Sequence, residues 1–488
     1  MKEYFPKLTG HDNANCSTII IGKNATKSGK VILAHNEDDM NSVVQLHRVP
    51  RIEHKEGEVL IFDDGDAVIP QVSETYSYYW SEVRSPSGES FADGFVNEWG
   101  VAVVSNSCVG SKKTDAEPPQ AGVGYALRRI IAERSKTARE GVEVAAALIA
   151  EFGYISARSY AICDKDEGWV FQVTTGHNYV AQKVGDDEVF YIPNWYNIHS
   201  VDFSDTAHKN FYFSSDLVQY PLRHGWYKPA KEGDFSDFDF SEAYQEGGIV
   251  PSNILRSDLA WRFLYGKDGI ANRTFSIKAP RKYDIADMKA LLRTHYDGYE
   301  KDLESQSETS PHRYGICRDT TVESLVMEFN DDADLTCLWR ACPRPCATPF
   351  APWYVGATRM PDGYEWSNVT ASQRSHLSPD PSEFKYNPNS AYWPSHILQN
   401  LMEFNYAACA PTVHGSIAKL EANWTAAKPI IDRAYLDLKA VCPEYAKEFL
   451  TDYNCAQGKK VWDWANQTIL DLTNEQNKRS MDAWRSKL

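Results

Sequence analysis

The sequence predicts an α+β fold in which two β-sheets pack face to face, helices cover both outer faces, and a helical region ends the chain. Short apolar runs separated by turn residues dominate the first 200 residues. Two stretches with helical periodicity, 123–135 and 139–152, interrupt these runs. From residue 391 onward the pattern is helical. Because sheets must bury their apolar faces against other layers, this order of elements fits a layered sandwich.

The first predicted strands form a hairpin. The apolar runs 17–22 and 31–34 are separated by Lys27-Ser28-Gly29-Lys30, a turn-forming sequence. A second hairpin is predicted at 94–104, where two glycines bracket a turn before a run of valines. Further strands are predicted at 159–163, 169–174, 178–184 and 188–193.

Strand signals weaken in the second half of the chain. Residues 195–250 are loose, aromatic and acidic, and residues 337–390, rich in Pro, Trp and Tyr, are predicted to form long ordered loops. A helix is predicted at 285–296. The tail is predicted to form helices at 393–407, 412–438, 443–451 and 456–485.

Composition and charge exclude several kinds of partner. The chain has 488 residues and a net charge of −16, whereas binding to nucleic acid requires clustered Lys and Arg, so no nucleic-acid partner is expected. No apolar run reaches the roughly 18 residues that span a bilayer, so no membrane insertion is expected. Residues 1–15 lack the apolar core of a signal peptide. The chain as written therefore predicts a cytoplasmic protein, or a secreted or periplasmic one if a signal peptide has been removed.

The ten cysteines are scattered along the chain, unlike the dense framework of a small secreted disulfide domain. Cys337, Cys342 and Cys346 lie close together in sequence, but no CxxC pair and no histidine at zinc-finger spacing accompanies them. Buried thiols or a local disulfide are therefore favoured there. No metal and no cofactor is expected.

Cys16 begins the first strand, and the polar cluster His35-Asn36-Glu37-Asp38-Asp39 follows at the distance of one hairpin. A lone cysteine is usually an inert core residue. Here, however, it also follows a polar leader that could be removed. If the chain is cut before Cys16, that residue carries both a thiol and an α-amine, whose reference pKa of about 7.7–8.0 suits a general base. This is the layout of an N-terminal-nucleophile (Ntn) hydrolase.

The polar cluster allows other interpretations. It could be a solvated loop or a carboxylate cation site, although the ligand spacing of a calcium loop is missing and no HExxH pair supports zinc. Paired carboxylates for glycoside hydrolysis also stay open, but nothing locates the second carboxylate.

The stretch CSTIIIGKNATKSGKVILAHNEDD resembles, without a gap, the opening of the cysteine dipeptidases of the Ntn-hydrolase superfamily, the group of the lactobacillal dipeptidases and secernins. The resemblance continues through GFVNEWGVAV, GWVFQVTTGHNYVAQKVGDDEVFYIPNWYNI, RDTTVESLVMEFN, CLWRACPRPCATPFAPWYVG and SAYW. It implies a four-layer αββα sandwich, hydrolysis of a linear amide and a homo-oligomer. We therefore expect a leader at 1–15, an Ntn-hydrolase catalytic domain at 16–390, and a helical region at 391–488 packed on the same domain.

The resemblance also implies roles for single residues. Cys16 matches the nucleophile, and Asp38 matches the carboxylate that holds its α-amine. Asn194 matches an asparagine that donates to the oxyanion, and Asn106 falls one residue off the register of a second oxyanion donor. Either asparagine could instead be a turn residue.

The family also carries an arginine late in the sheet region. Its counterpart is Arg256 or Arg262, of which we prefer Arg262, and either could instead form a surface ion pair. One departure is clear: His35 stands where the family usually has an arginine that helps to keep the thiol ionised. Histidine does so only when protonated, and its reference pKa is about 6.5. Substrate and pH optimum are therefore open.

The expected function is hydrolysis of a linear amide by a cysteine dipeptidase that is activated when the residues before Cys16 are removed. Acidic groups near the pocket would bind the free amino end of a dipeptide, so Glu37 and Asp39 are candidate substrate-binding residues, together with the neighbouring His35 and Asn36. Two alternatives stay open. One is an N-acyl amidase or acyltransferase of the same superfamily, and the other is a non-catalytic, secernin-like protein that acts through partners.

Overall fold

A computed structural model describes residues 16–39, 42–62, 64–84, 92–112, 122–246, 250–266, 275–295, 311–312, 315–365 and 380–486. The predicted leader, residues 1–15, therefore lies outside the described residues. Within these ranges, no helix combines the length and apolar character needed to cross a lipid bilayer.

The described strands, in chain order, are β1 Ser17–Ile21, β2 Ile32–Asp38, β3 Val43–Val49, β4 Ile52–Glu53, β5 Val59–Leu60, β6 Ile69–Pro70, β7 Glu74–Thr75, β8 Tyr78–Arg84, β9 Ala92–Asn97, β10 Ala102–Ser107, β11 Arg158–Cys163, β12 Gly168–Val173, β13 Tyr179–Lys183, β14 Glu188–Ile192, β15 Phe211–Phe213, β16 Ser276–Lys278, β17 Thr321–Glu328, β18 Cys337–Ala341 and β19 Ala351–Tyr354. The described α-helices are α1 Leu127–Arg134, α2 Ala138–Phe152, α3 Gln219–Arg223, α4 Phe240–Tyr244, α5 Pro251–Tyr265, α6 Ile285–Leu292, α7 Tyr392–Phe404, α8 Tyr406–Lys439 and α9 Pro443–Arg485.

Two antiparallel sheets carry most of these strands. The first sheet has the order β16-β14-β1-β2-β17-β18-β19, and the second has the order β15-β13-β12-β11-β10-β9-β8-β3. β1 and β2 are therefore central in the first sheet. A strand in that position is paired on both edges and covered on both faces, which explains why every residue of β1 and β2 is buried.

Helices cover the outer face of each sheet. Side chains such as Ile20 and Val104 form the core between the two sheets. Helices α1 and α2 pack on the outer face of the second sheet, and α5, α6, α8 and α9 contribute to the core on the outer face of the first sheet. The predicted α+β fold, a four-layer αββα sandwich with a helical C-terminal region, is confirmed.

Side-chain alternation along β1 and β2 divides the neighbourhood of Cys16 into two faces. In β1, Ile20 belongs to the core between the sheets, while Ile19 and Ile21 belong to the core under the helices. Leu33 of β2 faces inward and Ala34 faces outward in the same way. The residues that follow in β2 continue this alternation, and it decides which of them can meet the thiol.

The structure differs from the sequence prediction in several elements. Strand β2 extends beyond the predicted run 31–34 to Asp38, so most of the polar cluster lies in a strand, and strands β3 to β8 were not predicted. The region 337–390, predicted to be loops, contains strands β18 and β19. Two helices predicted between 443 and 485 form one helix, α9. Helix α5 was not predicted, although Pro251 at its first turn and Gly266 in a left-handed conformation at its C-terminus are recognised start and stop signals.

Candidate active site

Cys16 lies directly before β1, at the end of the central hairpin, and is 4% exposed. The register that pairs Ser17 with Asn36 and Thr18 with His35 brings the thiol opposite Glu37. The Cys16 Sγ donates to Glu37 Oε1 at 3.6 Å. A carboxylate therefore lies in contact with the predicted nucleophile.

A series of hydrogen bonds continues from this carboxylate along the inner face of the first sheet. Glu37 Oε2 lies 3.2 Å from His35 Nε2, and His35 Nδ1 lies 2.8 Å from Thr18 Oγ1. The Thr18 hydroxyl in turn contacts Asn106 Oδ1, which belongs to β10 of the second sheet. The thiol is thus connected to the opposite sheet through four polar side chains, all of them buried.

The amide of Asn106 sets the direction of the hydrogen bonds at the far end of the series. Asn106 Nδ2 donates to the carbonyl oxygens of Ile192 at 3.2 Å and Pro193 at 2.7 Å, so Asn106 Oδ1 accepts from the Thr18 hydroxyl. The Thr18 oxygen is then free to accept from His35 Nδ1, and Nε2 is the ring nitrogen that faces Glu37.

Asn36 faces the opposite side of the sheet. Its Nδ2 donates to the carbonyl oxygens of Leu292 and Ile316, each at 3.0 Å, and its Oδ1 accepts from Ser324 Oγ at 2.5 Å. These contacts lie on the face that the helices cover, away from the thiol. Asn36 was predicted to bind substrate. In the structure its side chain instead connects β2 to α6 and to the segment before β17.

Asp38 lies on the same outer face, at the end of β2, and is 3% exposed. Its Oδ1 accepts from Thr321 Oγ1 at 2.5 Å, whereas its Oδ2 is buried and has no hydrogen-bond partner among the described residues. Burial raises the pKa of the Asp38 carboxyl to about 6, although the positive charges of Arg318 and Arg256 oppose the shift. One carboxylate oxygen is therefore ready to accept a donor.

Arg256, on helix α5, connects the cysteine with a second predicted site residue. Its side chain is fully buried, and its Nη1 donates to the backbone carbonyl of Cys16. Its Nη2 donates to Asn194 Oδ1 at 3.0 Å and also to Asn253 Oδ1. Because Arg256 holds the oxygen end of the Asn194 amide, Nδ2 points the other way, where it donates to the Ser107 carbonyl at 3.0 Å.

The arginine preferred from sequence lies elsewhere on the same helix. Arg262 is six residues beyond Arg256 and partly exposed, whereas the contacts with Cys16 and Asn194 are made by Arg256. The preference for Arg262 is corrected accordingly: residues 253, 256 and 257 are on the buried face of α5, at a spacing that does not include 262.

Asp39 follows β2 and is partly buried. Its Oδ2 accepts from Ser42 Oγ at 2.9 Å, and its backbone N–H donates to the Thr320 carbonyl. Glu37 and Asp39, the two predicted acidic residues, therefore both lie at the Cys16 end of strand β2. Of these two, Glu37 is the one seen in contact with the thiol.

Thr18 and Asn253 are residues of this site that sequence reasoning missed. Thr18 is the second residue after Cys16, so strand alternation could have placed it on the thiol's face. Asn253 is one turn before Arg256 on α5 and donates from Nδ2 to the Asn194 carbonyl at 3.2 Å. If α5 had been recognised by its terminal Pro and Gly, Asn253 and Arg256 could have been placed together on one face of that helix.

A buried thiol directly before a central strand, with carboxylates on both faces of the sheet and an arginine–asparagine pair on the carbonyl side of the cysteine, is an arrangement suited to nucleophilic catalysis by a cysteine. The model of Peptidase family C69 matches residues 15–419, and the chain belongs to that family. It is therefore a peptidase.

Curated relatives resemble the chain over almost its whole length. "Probable dipeptidase B" of Streptococcus pyogenes serotype M3 is 23% identical over 500 residues, which cover 96% of this chain and 95% of the relative. Dipeptidase A of Lactobacillus helveticus is 23% identical over 424 residues, which cover 80% of this chain and 82% of the relative. Among solved structures, penicillin V acylase from Agrobacterium tumefaciens aligns with a TM-score of 0.31 and 13% identity over 67% of this chain and 82% of that one.

Proposed function

We propose that this peptidase is a dipeptidase whose nucleophile is the Cys16 thiol and whose general base is the α-amine that Cys16 acquires when residues 1–15 are removed. The observation that carries the proposal is the position of Cys16, whose thiol contacts Glu37 and whose carbonyl is held by Arg256. The family match beginning at residue 15 supports a functional chain that begins at Cys16.

The unsatisfied oxygen of Asp38 supports a role in holding the new amine. A buried carboxylate oxygen without a partner costs free energy, and an ammonium donor within reach would recover it. The same ammonium would also lower the pKa of Asp38, because an opposite charge favours the ionised carboxylate. Asp38 thereby orients the amine so that its lone pair can accept the thiol proton.

Asn194 is the proposed donor to the oxyanion. When the thiolate attacks the substrate carbonyl, negative charge develops on the carbonyl oxygen, and a preorganised N–H stabilises it. Arg256 donates to the Asn194 oxygen and so fixes the orientation of the amide, with Nδ2 pointing away from the arginine. The acyl-enzyme is then hydrolysed by water that the same α-amine activates, and the thiol is regenerated.

The dipeptide substrate rests on the relatives and on the acidic groups at this end of the sheet. The matching relatives named above are both described as dipeptidases. Glu37 and Asp39 supply negative charge where the ammonium end of a dipeptide could bind, with His35 positioning Glu37 through their hydrogen bond. Asn36, which faces the helices, is not given a substrate contact in this scheme.

The first experiment is the intact mass of freshly purified protein, measured beside Cys16→Ala. We expect the wild type to lack residues 1–15 and the variant to retain them. Processed protein should then hydrolyse dipeptides faster than N-acyl amino acids in a matched panel. Full activity of Cys16→Ala would contradict the role of Cys16 as the nucleophile. A preference for N-acyl substrates would contradict the dipeptidase assignment, but it would not affect the role of Cys16.

A further inference from the structure

A second group of reactive side chains lies outside the site of Cys16, under the C-terminal helices. His295, His312, Cys317 and Cys346 are all buried, with exposed fractions of 5%, 1%, 0% and 3%. One ligand atom from each lies within 4.8 Å of the ligand atoms of the other three. His312 and Cys317 are five residues apart, but His295 and Cys346 lie further along the chain on either side and the four show no zinc-finger spacing, so the sequence predicted no metal site from them.

We propose that these four residues bind one zinc ion as a structural Cys2His2 site. Zinc prefers four nitrogen and sulfur ligands in tetrahedral geometry, with ligand–ligand separations of about 3.4–3.8 Å. The compact arrangement suits that geometry, and His312 Nε2 lies 3.1 Å from Cys346 Sγ. Four protein ligands leave no open position, which distinguishes a structural ion from a catalytic one.

The environment of His312 supports a ligand role independently of the donor cluster. Its Nδ1, the ring nitrogen on the far side from Cys346, lies 2.9 Å from Glu403 Oε1. Histidines that bind zinc through one ring nitrogen commonly donate the other N–H to a carboxylate, which fixes the tautomer and the ring orientation. Glu403 in turn pairs with Arg344, so its own charge is compensated.

Charge balance also favours a divalent cation. Cysteines bind zinc as thiolates, so a zinc ion with two cysteine and two neutral histidine ligands carries no net charge, and no uncompensated charge is buried. The Arg344–Glu403 pair beside the site is neutral by itself.

The site would join separate segments of the fold next to the catalytic centre. The Thr294 carbonyl accepts the backbone N–H groups of Ile316 and Cys317, so two of the ligand-bearing segments are already in contact. Cys317 directly precedes Arg318, one of the charges that act on Asp38. The zinc ion would therefore stabilise the segment that leads into β17 and holds Asp38.

The test measures zinc in full-length protein purified without a metal-affinity step and dialysed against metal-free buffer. We expect about one zinc per chain in the wild type and a loss of most of it in Cys317→Ser and Cys346→Ser. The matched control is Cys409→Ser, a buried cysteine in the same apolar cluster but outside the four ligands. It should retain its zinc.

Cobalt substitution of the wild type tests the site without relying on any variant that fails to fold. Co²⁺ should produce the visible bands of tetrahedral cobalt and a thiolate charge-transfer band. Absence of bound zinc together with absence of these bands in protein with reduced thiols would overturn the proposal. So would a Cys317–Cys346 disulfide found by peptide mapping of freshly isolated protein, because it would make this pair a redox pair.

Discussion

Glu37 contacts the Cys16 thiol through one carboxylate oxygen, at 3.6 Å, and His35 through the other, at 3.2 Å. The histidine that the sequence places where an arginine was expected therefore hydrogen-bonds the same carboxylate that contacts the thiol.

The first prediction follows from this pair. His35→Arg should change the shape of the pH profile of kcat/KM, because arginine stays charged at every pH used whereas histidine is a residue whose charge can change with pH. His35→Gln should lower kcat/KM by about 10²-fold, the magnitude typical of a lost electrostatic contact in an active site. The measurement is a pH profile of dipeptide hydrolysis by processed protein.

A matched control for that experiment is His47→Gln. His47 and Glu82 form another buried pair, 2.9 Å apart, in the second sheet. This substitution should reduce stability without changing the shape of the pH profile. An identical pH profile in wild type and His35→Arg would contradict the role given to His35.

The second prediction concerns Asp38 before the leader is removed. Its pKa is raised from 3.8 to about 6 in the folded chain, so the unfolded chain ionises first as pH rises. The free energy of unfolding should therefore fall between about pH 4 and 6, by about 3 kcal/mol for this group, and then level off. Denaturant unfolding of Cys16→Ala at a series of pH values measures this.

Asp38→Asn, introduced into the same Cys16→Ala background, should remove that part of the pH dependence, because asparagine does not ionise. If the free energy of unfolding falls equally steeply with pH in the two proteins between pH 4 and 6, Asp38 does not titrate in this range. Once the leader is removed, the α-ammonium of Cys16 should lower the pKa of Asp38. The pH range in which the free energy of unfolding depends on Asp38 should then move to lower pH.

The third prediction separates the two arginines of helix α5. Arg256→Gln should lower kcat by about 10²-fold or more, because Asn194 loses the donor that orients its amide. Arg262→Gln, on the same helix and partly exposed, should stay within a few-fold of the wild type. Steady-state kinetics on processed protein, with circular dichroism to check the fold, decides between them. A larger kinetic loss for Arg262→Gln would reverse the assignment.

The fourth prediction separates the two asparagines. Asn194→Ala should lower kcat by about 10²–10³-fold with little change in KM, as expected for a lost oxyanion donor. Asn106→Ala should act chiefly on stability, because its amide joins the Thr18 hydroxyl to the carbonyls of Ile192 and Pro193. Asn194 also donates within the protein, to the carbonyl and the Oγ of Ser107, and would exchange one of these hydrogen bonds for one to the oxyanion. Thermal melts together with kinetics distinguish these effects. If Asn106→Ala lost kcat at unchanged stability, Asn106 would be an oxyanion donor after all.

The layered fold could be predicted because its strongest signals are local. The first hairpin, the strands from β9 to β14, the helices α1 and α2 and the helical tail follow from periodicity and turn residues, whereas strands β3 to β8 were not predicted. The family assignment, the αββα sandwich and the peptidase activity are confirmed. The roles assigned to Asp38 and Asn194 stay predictions: Asn194 is connected to Cys16 through Arg256, and Asp38 directly follows Glu37, which contacts the thiol.

The errors also have physical causes. Helix α5 was missed because Asn253, Arg256 and Ser257 interrupt its apolar stripe, and they do so because they are buried in a polar site. The predicted second strand ended at residue 34, four residues short of the end of β2, because the polar run His35 to Asp38 lacks the apolar side chains typical of a central strand. The His–Cys cluster depends on tertiary contacts between distant segments, so no spacing in the sequence could reveal it.

The hydrogen bond from Arg256 to the Cys16 carbonyl has a consequence for activation. That carbonyl is on the side of the scissile bond that stays with the protein, so the residue that becomes the new chain terminus is already anchored before the cut. The proposed removal of residues 1–15 would therefore need no refolding of the central hairpin. Under that proposal, precursor and mature enzyme should share one sheet geometry, and the latency of the precursor would reside in a single covalent bond.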